Sequence, residues 1–277
     1  MTSLQIVRLM NREDRKVAVA VGQQLPSIAR AVDAIVDSIQ SGGRLIYVGA
    51  GSSGRLGILD AAECAPTFGT PRSMVQGLIA GGRRAFVSAI EGAEDATPNA
   101  RRDLSARRLG KNDVVVGISA SGTTPYVLAA LEYARKCGAT TVGVTANRKT
   151  PLARAAKIAI APNVGPEILT GSTRLKAGTS QKMVLNMLST AAMVRLGHAY
   201  ENLMIDAMLT NKKVSGRALR ILAEGSGQSV SAAEHALRLA GHNMRIALVM
   251  LKRGISAPEA KRKLSRAKGN LRQALED

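Results

Sequence analysis

The stretch RLIYVGAGSSG, residues 44–54, decides the fold, because an apolar run of strand length leads directly into a turn of small residues. Four more short apolar runs lead into turns, and they cover residues 73–81, 113–121, 139–147 and 157–164. Helical patterns separate most of these runs, at residues 53–64, 124–138 and 150–157. Apolar strands that alternate with helices predict an α/β fold, a parallel sheet with helices on both faces.

Both ends of the chain are predicted to be helical. Apolar residues recur at three- and four-residue steps through residues 1–42. A long apolar helix is predicted over residues 179–197, with Thr179 or Ser180 as its N-cap. We predict two domains, an α/β domain of residues 1–215 and a small helical domain of residues 216–277. The latter contains three short helices, of which the second, residues 229–254, is either one helix or two pieces. The last helix starts with a Ser256–Glu259 capping box.

Composition narrows the function classes. The chain has 277 residues and a formal net charge of +19, which is compatible with a polyanionic partner. Aromatic residues make up only 2% and tryptophan is absent, so stacking platforms for nucleic acid are scarce and no specific nucleic-acid partner is predicted. No apolar run is long enough to span a membrane, and the first residues do not form a secretory signal. Two cysteines form no disulfide framework, so we expect an intracellular protein.

Two turns rich in hydroxyl groups are candidate anion sites. Ser52 and Ser53 follow the first strand, and the sequence SASGTTP, residues 119–125, follows the third strand. The second turn carries four hydroxyl side chains, those of Ser119, Ser121, Thr123 and Thr124. Hydroxyls and free amides at a helix start form a phosphate cradle without a lysine or a metal. Tight turns without a ligand and ordinary helix capping are the structural alternatives.

Acidic residues near these turns are candidate catalysts. Glu63 lies ten residues beyond Ser53, a rise of about 15 Å in a straight helix. It therefore meets the turn only if the helix breaks, or else it serves the site of a neighbouring subunit. Glu91, Glu94 and Asp95 crowd together in AIEGAEDA, residues 89–96, where an acid-rich helix start is the structural alternative.

A third candidate segment is GPEILTGSTRLKAGTSQK, residues 165–182. Arg174 and Lys176 stand there beside several hydroxyl side chains, and fixed cations of this kind can hold a carboxylate or a phosphate. A surface loop with a helix cap is the alternative. The three histidines lie late in the chain, in predicted helices, and match no metal spacing, so no metal is predicted.

The long motifs together resemble the N-acetylmuramic acid 6-phosphate etherase family, whose members have the sugar isomerase (SIS) fold, a flavodoxin-like parallel sheet. The resemblance covers residues 1–277 in order and is carried by residues 43–69, 77–82, 89–96, 114–135, 170–193 and 202–214. It implies a cytoplasmic homodimer that needs no cofactor and takes a sugar phosphate as substrate. In this family residues 1–215 would form the catalytic domain that binds the sugar phosphate.

The family reaction cleaves a D-lactyl ether with water and serves the recycling of cell-wall sugars. The resemblance implies that Glu63 and Glu94 are catalytic and that Ser53, Ser119, Ser121 and Thr124 bind the phosphate. We assign Glu63 as the acid at the lactyl oxygen and Glu94 as the base at carbon 2, with the exchange of these roles left open.

The family pattern includes a segment upstream of Met1 with Thr-Glu and Asn, and activity is expected to be weak if that segment completes the site. A non-catalytic sugar-phosphate sensor and an aldose–ketose isomerase are the alternative functions.

Overall fold

The computed structural model describes residues 1–209, 212–267 and 269–276. The chain forms two compact units. The first consists of Met1–Ala62 and Pro71–Ala192, and the second of Glu63–Thr70 and Met193–Asp277. Compact units of this kind are not necessarily domains that fold independently. The predicted domain boundary after residue 215 therefore stays a prediction.

A five-stranded parallel sheet organises the first unit, as predicted. Its strands are β1 (Leu45–Gly49), β2 (Val75–Ile79), β3 (Val114–Ile118), β4 (Thr140–Val144) and β5 (Ile158–Ile160). Their order is β2-β1-β3-β4-β5, and every neighbouring pair is parallel. The strand order reverses between β1 and β3, and ligands of such sheets bind in the crevice at this switch point.

Helices cover both faces of this sheet, which confirms the predicted fold class. They are α1 (Ser3–Gly22), α2 (Leu25–Gln40), α3 (Gly51–Phe68), α4 (Arg84–Val87), α5 (Thr97–Ala106), α6 (Pro125–Lys136), α7 (Pro151–Ala155) and α8 (Lys176–Arg195). On one face Ile46 and Val115 pack with Leu104 of α5. On the other, the Tyr47 hydroxyl donates to the Asp60 carboxylate of α3 at 2.8 Å.

Helix α8 starts earlier than its sequence predicts. It begins at Lys176, and the Glu167 carboxylate accepts the first amides, from Lys176 at 3.0 Å and from Ala177 at 2.9 Å. The prediction of Thr179 or Ser180 as N-cap was wrong, because a carboxylate nine residues away takes over the capping. The Thr179 hydroxyl instead donates to the Leu175 carbonyl at 3.0 Å.

The second unit is helical, with more and shorter helices than predicted. They are α9 (Lys212–Ser226), α10 (Val230–Leu239), α11 (Met244–Arg253), α12 (Ala257–Arg266) and α13 (Leu271–Glu276). The chain turns at residues 240–243, so the second predicted helix consists of two pieces, an alternative that its pattern left open. The third predicted helix is also divided, before Leu271, so its prediction as one helix was wrong. Their leucines share one core, which includes Leu222, Leu237, Leu248 and Leu264. The predicted capping box of α12 is confirmed. Within the described ranges, no helix is both long and apolar enough to cross a membrane.

Candidate functional site

The turn after β1 brings the start of α3 close to the end of its strand. A Cβ on Gly54 would lie 2.6 Å from Ile79 Cγ1 and 2.8 Å from the Gly49 carbonyl oxygen. Glycine is therefore required for this approach of helix to strand. Ser52 is half-buried and Ser53 is buried at the helix start, where backbone amides are free to bind an anion.

The turn after β3 collects all four predicted hydroxyl side chains. The Ser119 hydroxyl lies 2.8 Å from that of Thr124 and 3.3 Å from that of Ser121. The Ser121 hydroxyl in turn lies 2.9 Å from that of Thr123. Thr124 is the N-cap of α6, but its side chain does not bond to that helix. The hydroxyl groups thus form one linked cluster at the start of α6.

Gly122 gives this cluster its shape. Its φ of +69° lies in the left-handed region, and a Cβ there would meet the Thr150 side chain at 2.5 Å. The amide of Gly122 donates to the Ser119 hydroxyl oxygen at 3.0 Å. Any other residue would strain the backbone and push the turn away from Thr150.

The two turns start side by side. Gly49 and Ile118, the last residues of β1 and β3, are partners in the parallel ladder. The following residues, Ala50 and Ser119, therefore leave the sheet at the same edge, at the switch point of the strand order. Hydroxyl groups from both turns, with the amides at the start of α3, are suited to one dianionic group, without a bound cation.

Glu94 lies next to the first of these turns. It shares a cavity of about 150 Å³ with Ala50 and Gly51. The carboxylate is exposed and makes no ion pair or side-chain hydrogen bond with any described residue. The acids of this segment lie in a short 3-10 turn, Ala93–Asp95, which ends before α5 begins. The structure thus brings a free carboxylate to the predicted phosphate turn.

Arg55 ties the segment that leads to Glu94 onto α3, a contact that sequence reasoning missed. Its guanidinium donates to the carbonyl of Phe86 at 2.9 Å and to that of Ser88 at 3.2 Å. These partners lie more than thirty residues from Arg55. No local pattern signals such a pairing, because the arginine simply follows a glycine-rich turn.

Glu63 is exposed and is the first residue of the second unit. It has no ion pair or side-chain hydrogen bond within the described part of the chain. Helix α3 is continuous from Gly51 to Phe68, and Pro66 lies inside it. The helix break that would bring Glu63 to the turn of its own chain is therefore absent.

The structure separates the two predicted cations of residues 165–182. Arg174 is exposed and lines a cavity of about 450 Å³, together with Ser52, Arg55, Leu56, Leu59, Phe86, Gly178, Thr179 and Lys182. Lys182, which belongs to the same predicted segment, is a further cation of that cavity. The cavity thus combines an apolar wall with several positive charges.

Lys176 faces a different partner. Its side chain is buried, and its ammonium group donates to the Glu13 carboxylate of α1 at 2.8 Å. Hydrogen bonds from Lys16 and Lys176 lower the pKa of Glu13 to about 2. The Lys176 charge is thus neutralised inside the first unit.

Known proteins place the chain in a family. The SIS domain model matches residues 93–191, and that of the glucokinase regulatory protein N-terminal SIS domain matches residues 27–135. N-acetylmuramic acid 6-phosphate etherases of Yersinia pestis (strain Pestoides F) and Yersinia pseudotuberculosis (serotype O:1b, strain IP 31758) are 52% identical over 275 residues, 99% of this chain and 93% of theirs. The chain belongs to the N-acetylmuramic acid 6-phosphate etherase family.

Solved structures show how this etherase family relates to other SIS folds. Phosphoheptose isomerase from Francisella tularensis matches with a TM-score of 0.56 at 18% identity, over 70% of this chain and 100% of that one. The phosphoheptose isomerase of Neisseria gonorrhoeae gives 0.54 at 16% identity, over 69% and 98%. At these identities the likeness establishes the fold alone.

A partly buried ionic cluster stabilises the second unit of this etherase family member. The Asp206 carboxylate accepts hydrogen bonds from the Arg245 guanidinium and lies 2.8 Å from His198 Nδ1. Burial raises the pKa of Asp206, but the hydrogen bonds from His198 and Arg245 outweigh burial and hold it below its usual value. Arg245 also donates to the Gly197 carbonyl at 2.7 Å.

The histidines are placed differently from their prediction. His235 lies in α10, whereas His198 lies in the irregular segment after α8 and His242 in the turn between α10 and α11. The expectation that all of them lie in helices was therefore wrong for these two. His198 lies within hydrogen-bond distance of the Asp206 carboxylate. Such a fixed partner is typical of a histidine with a structural role.

Proposed function

We propose that this chain is an N-acetylmuramic acid 6-phosphate etherase. The enzyme splits the D-lactyl ether of its substrate with water and releases N-acetylglucosamine 6-phosphate and D-lactate. One observation carries the proposal: relatives with this name are 52% identical over 99% of the chain. We further propose that the reaction takes place in the cytoplasm, in the recycling of cell-wall sugars.

The two hydroxyl-rich turns are the proposed phosphate site. Ser53, Ser119, Ser121 and Thr124 would donate to the phosphate oxygens, together with the amides at the start of α3. Ser52 and Thr123 border this group. The register of Gly49 with Ile118 supports the proposal, because it sets both turns at one edge of the sheet.

Glu94 is the proposed base at carbon 2 of the open-chain sugar. The neighbouring aldehyde acidifies the hydrogen on that carbon, so a carboxylate can remove it. Its position beside Gly51 supports this role, since the phosphate bound at the turns would bring the sugar within reach. The absence of a cationic partner among the described residues leaves the carboxylate available to accept the proton.

Glu63 is the proposed acid at the lactyl oxygen. As carbon 2 loses its proton, the bond from carbon 3 to the lactyl oxygen breaks, and Glu63 gives that oxygen a proton. The product is D-lactate and an unsaturated aldehyde. Water activated by Glu63 then adds at carbon 3, and carbon 2 regains a proton from Glu94. The scheme needs two carboxyl groups in opposite protonation states.

We also propose a homodimer in which Glu63 serves the site of the partner subunit. The unbroken α3 supports this arrangement, because ten residues of helix carry Glu63 about 15 Å along the axis from the phosphate turn. Arg174 is the proposed ligand of the lactyl carboxylate, with Lys182 beside it in the same cavity. Lys176, the other predicted ligand, is the weaker candidate because Glu13 already neutralises it.

The test is D-lactate release from N-acetylmuramic acid 6-phosphate by the wild type, Glu63→Ala, Glu94→Ala and the matched control Glu91→Ala. We expect release by the wild type and by the control, and loss in both other variants. Mixing the two inactive variants should restore about a quarter of wild-type activity, because half the dimers then carry one intact site of two.

Each negative result has its own meaning. A mixture without activity would place Glu63 and Glu94 of one chain in the same site and overturn the shared-site arrangement. Folded wild type that releases no lactate but binds the sugar phosphate would indicate a sensor. Conversion of an aldose phosphate to a ketose phosphate would indicate an isomerase.

A further inference from the structure

We propose that Gln181 is a positioning residue that sets the direction of the Ser53 hydroxyl group and thereby controls phosphate binding. The proposal rests on the proposed role of Ser53 as a phosphate ligand. Gln181 lies in α8 and Ser53 at the start of α3, 128 residues apart in the sequence.

The pair is buried and incompletely bonded. Ser53 is 8% exposed and Gln181 is 2% exposed. The Ser53 hydroxyl donates to Gln181 Oε1 at 2.9 Å. The Nε2 group of Gln181 is buried and makes no hydrogen bond within the part of the chain that the structure describes. Buried N–H groups without a partner are rare in folded proteins, so this donor calls for a function.

Two orientations of the Gln181 amide fit the same space, since a half-turn about its last side-chain bond exchanges oxygen and nitrogen. In the orientation described above, the Ser53 hydroxyl donates its only hydrogen to Gln181 and cannot donate to a phosphate. In the turned orientation, Nε2 donates to the Ser53 oxygen. The Ser53 hydrogen then becomes free to donate to the ligand.

Phosphate binding would therefore select the turned amide. A serine hydroxyl can accept from Nε2 and donate to an anion at the same time, and donation to a charged group is the stronger hydrogen bond. The turn after β3 needs no such partner, because its hydroxyl groups are linked to one another. Gln181 thus acts only on the turn after β1.

The experiment compares Gln181→Glu with Gln181→Met. A carboxylate can only accept, so it should keep the Ser53 hydrogen permanently. The thioether neither holds nor orients that hydrogen. Calorimetric titration with N-acetylglucosamine 6-phosphate should show affinity about 30-fold weaker for Gln181→Glu, as for Ser53→Ala, and about 5-fold weaker for Gln181→Met. In turnover, KM should rise while kcat changes little.

Repeating both substitutions in a Ser53→Ala background separates this role from other effects. We expect Gln181→Glu to weaken binding less than about threefold there, because its target is gone. An undiminished effect would mean that the new charge repels phosphate directly, and would overturn the proposal. So would wild-type affinity in the Gln181→Glu variant. If Gln181→Glu does not fold, the effect of Gln181→Met, which should vanish in the same background, carries the test.

Unphosphorylated N-acetylglucosamine is the ligand control, and its weak affinity should be the same in all variants. If the wild type binds both sugars equally, the proposed phosphate site does not exist and the proposed function fails. Wild-type binding without D-lactate release would reject the etherase and leave the Gln181 test intact.

Discussion

Glu94 in the first unit and Asp206 in the second are carboxylates in opposite surroundings. Glu94 is exposed, beside a glycine turn, and has no charged partner among the described residues. Asp206 is held by Arg245 and His198, with most of its side chain out of solvent. A carboxylate whose oxygens already accept hydrogen bonds from fixed cationic partners is poorly placed to exchange a proton with a substrate at neutral pH. The comparison teaches that the free acid is the candidate for chemistry and the bound acid for stability.

Glu94→Gln gives the largest expected effect. The amide keeps the size of the side chain but cannot accept a proton, so kcat for D-lactate release should fall about 10³-fold. The melting temperature should stay unchanged, because the carboxylate has no partner to lose. Glu91→Gln, a neighbour on the same cavity, is the matched control and should retain activity. A large loss of stability in Glu94→Gln would contradict the contrast with Asp206, because it would show that Glu94 also stabilises the fold.

Asp206→Asn should lower stability rather than rate. Removing one partner of a partly buried ion pair leaves the Arg245 charge uncompensated, which costs about 2 kcal/mol of the free energy of unfolding. Urea denaturation measures this cost, and the exposed Glu234→Gln in the same unit is the control. Below the unfolding transition we expect kcat within about threefold of wild type. A kcat as low as that of Glu94→Gln would mean that Asp206 takes part in the chemistry.

The pH dependence of stability gives a smaller effect of known sign. The folded-state pKa of Asp206 lies below its ordinary value, because the bonds from His198 and Arg245 outweigh burial. Its stabilisation is therefore complete well above a pH of about 4 and is lost as pH falls through the folded-state pKa. The stability gap between wild type and Asp206→Asn should narrow from pH 6 to pH 3. A gap that stays constant over this range would show that the carboxylate's charge is not its source.

The pair of Glu13 and Lys176 shows that a residue type alone does not fix a role. Lys176 stands in a segment rich in hydroxyls and cations, and the sequence favours it as an anion ligand. In the fold, α1 presents Glu13 to it across 163 residues of sequence. The cations that share the cavity with Arg174 are Arg55 and Lys182 instead.

Much of the fold was predictable because its signals are local. Apolar runs that end in small residues predict the five strands, and the turns that follow β1 and β3 predict the helices that come after them. The start of α8 was mispredicted because a distant carboxylate caps it. The helices after residue 211 were miscounted because short polar turns interrupt otherwise continuous helical patterns.

The sequence by itself determined the parallel sheet, the two hydroxyl-rich turns and the family, because each rests on contiguous residues in a fixed order. Only the tertiary structure decided that Ser53 meets Gln181, that Arg55 holds the segment before Glu94, and that Arg245 neutralises Asp206. Those contacts join residues that are 31 to 128 positions apart. Such pairs depend on how whole helices pack, and helix packing is set by the shared core rather than by any local pattern.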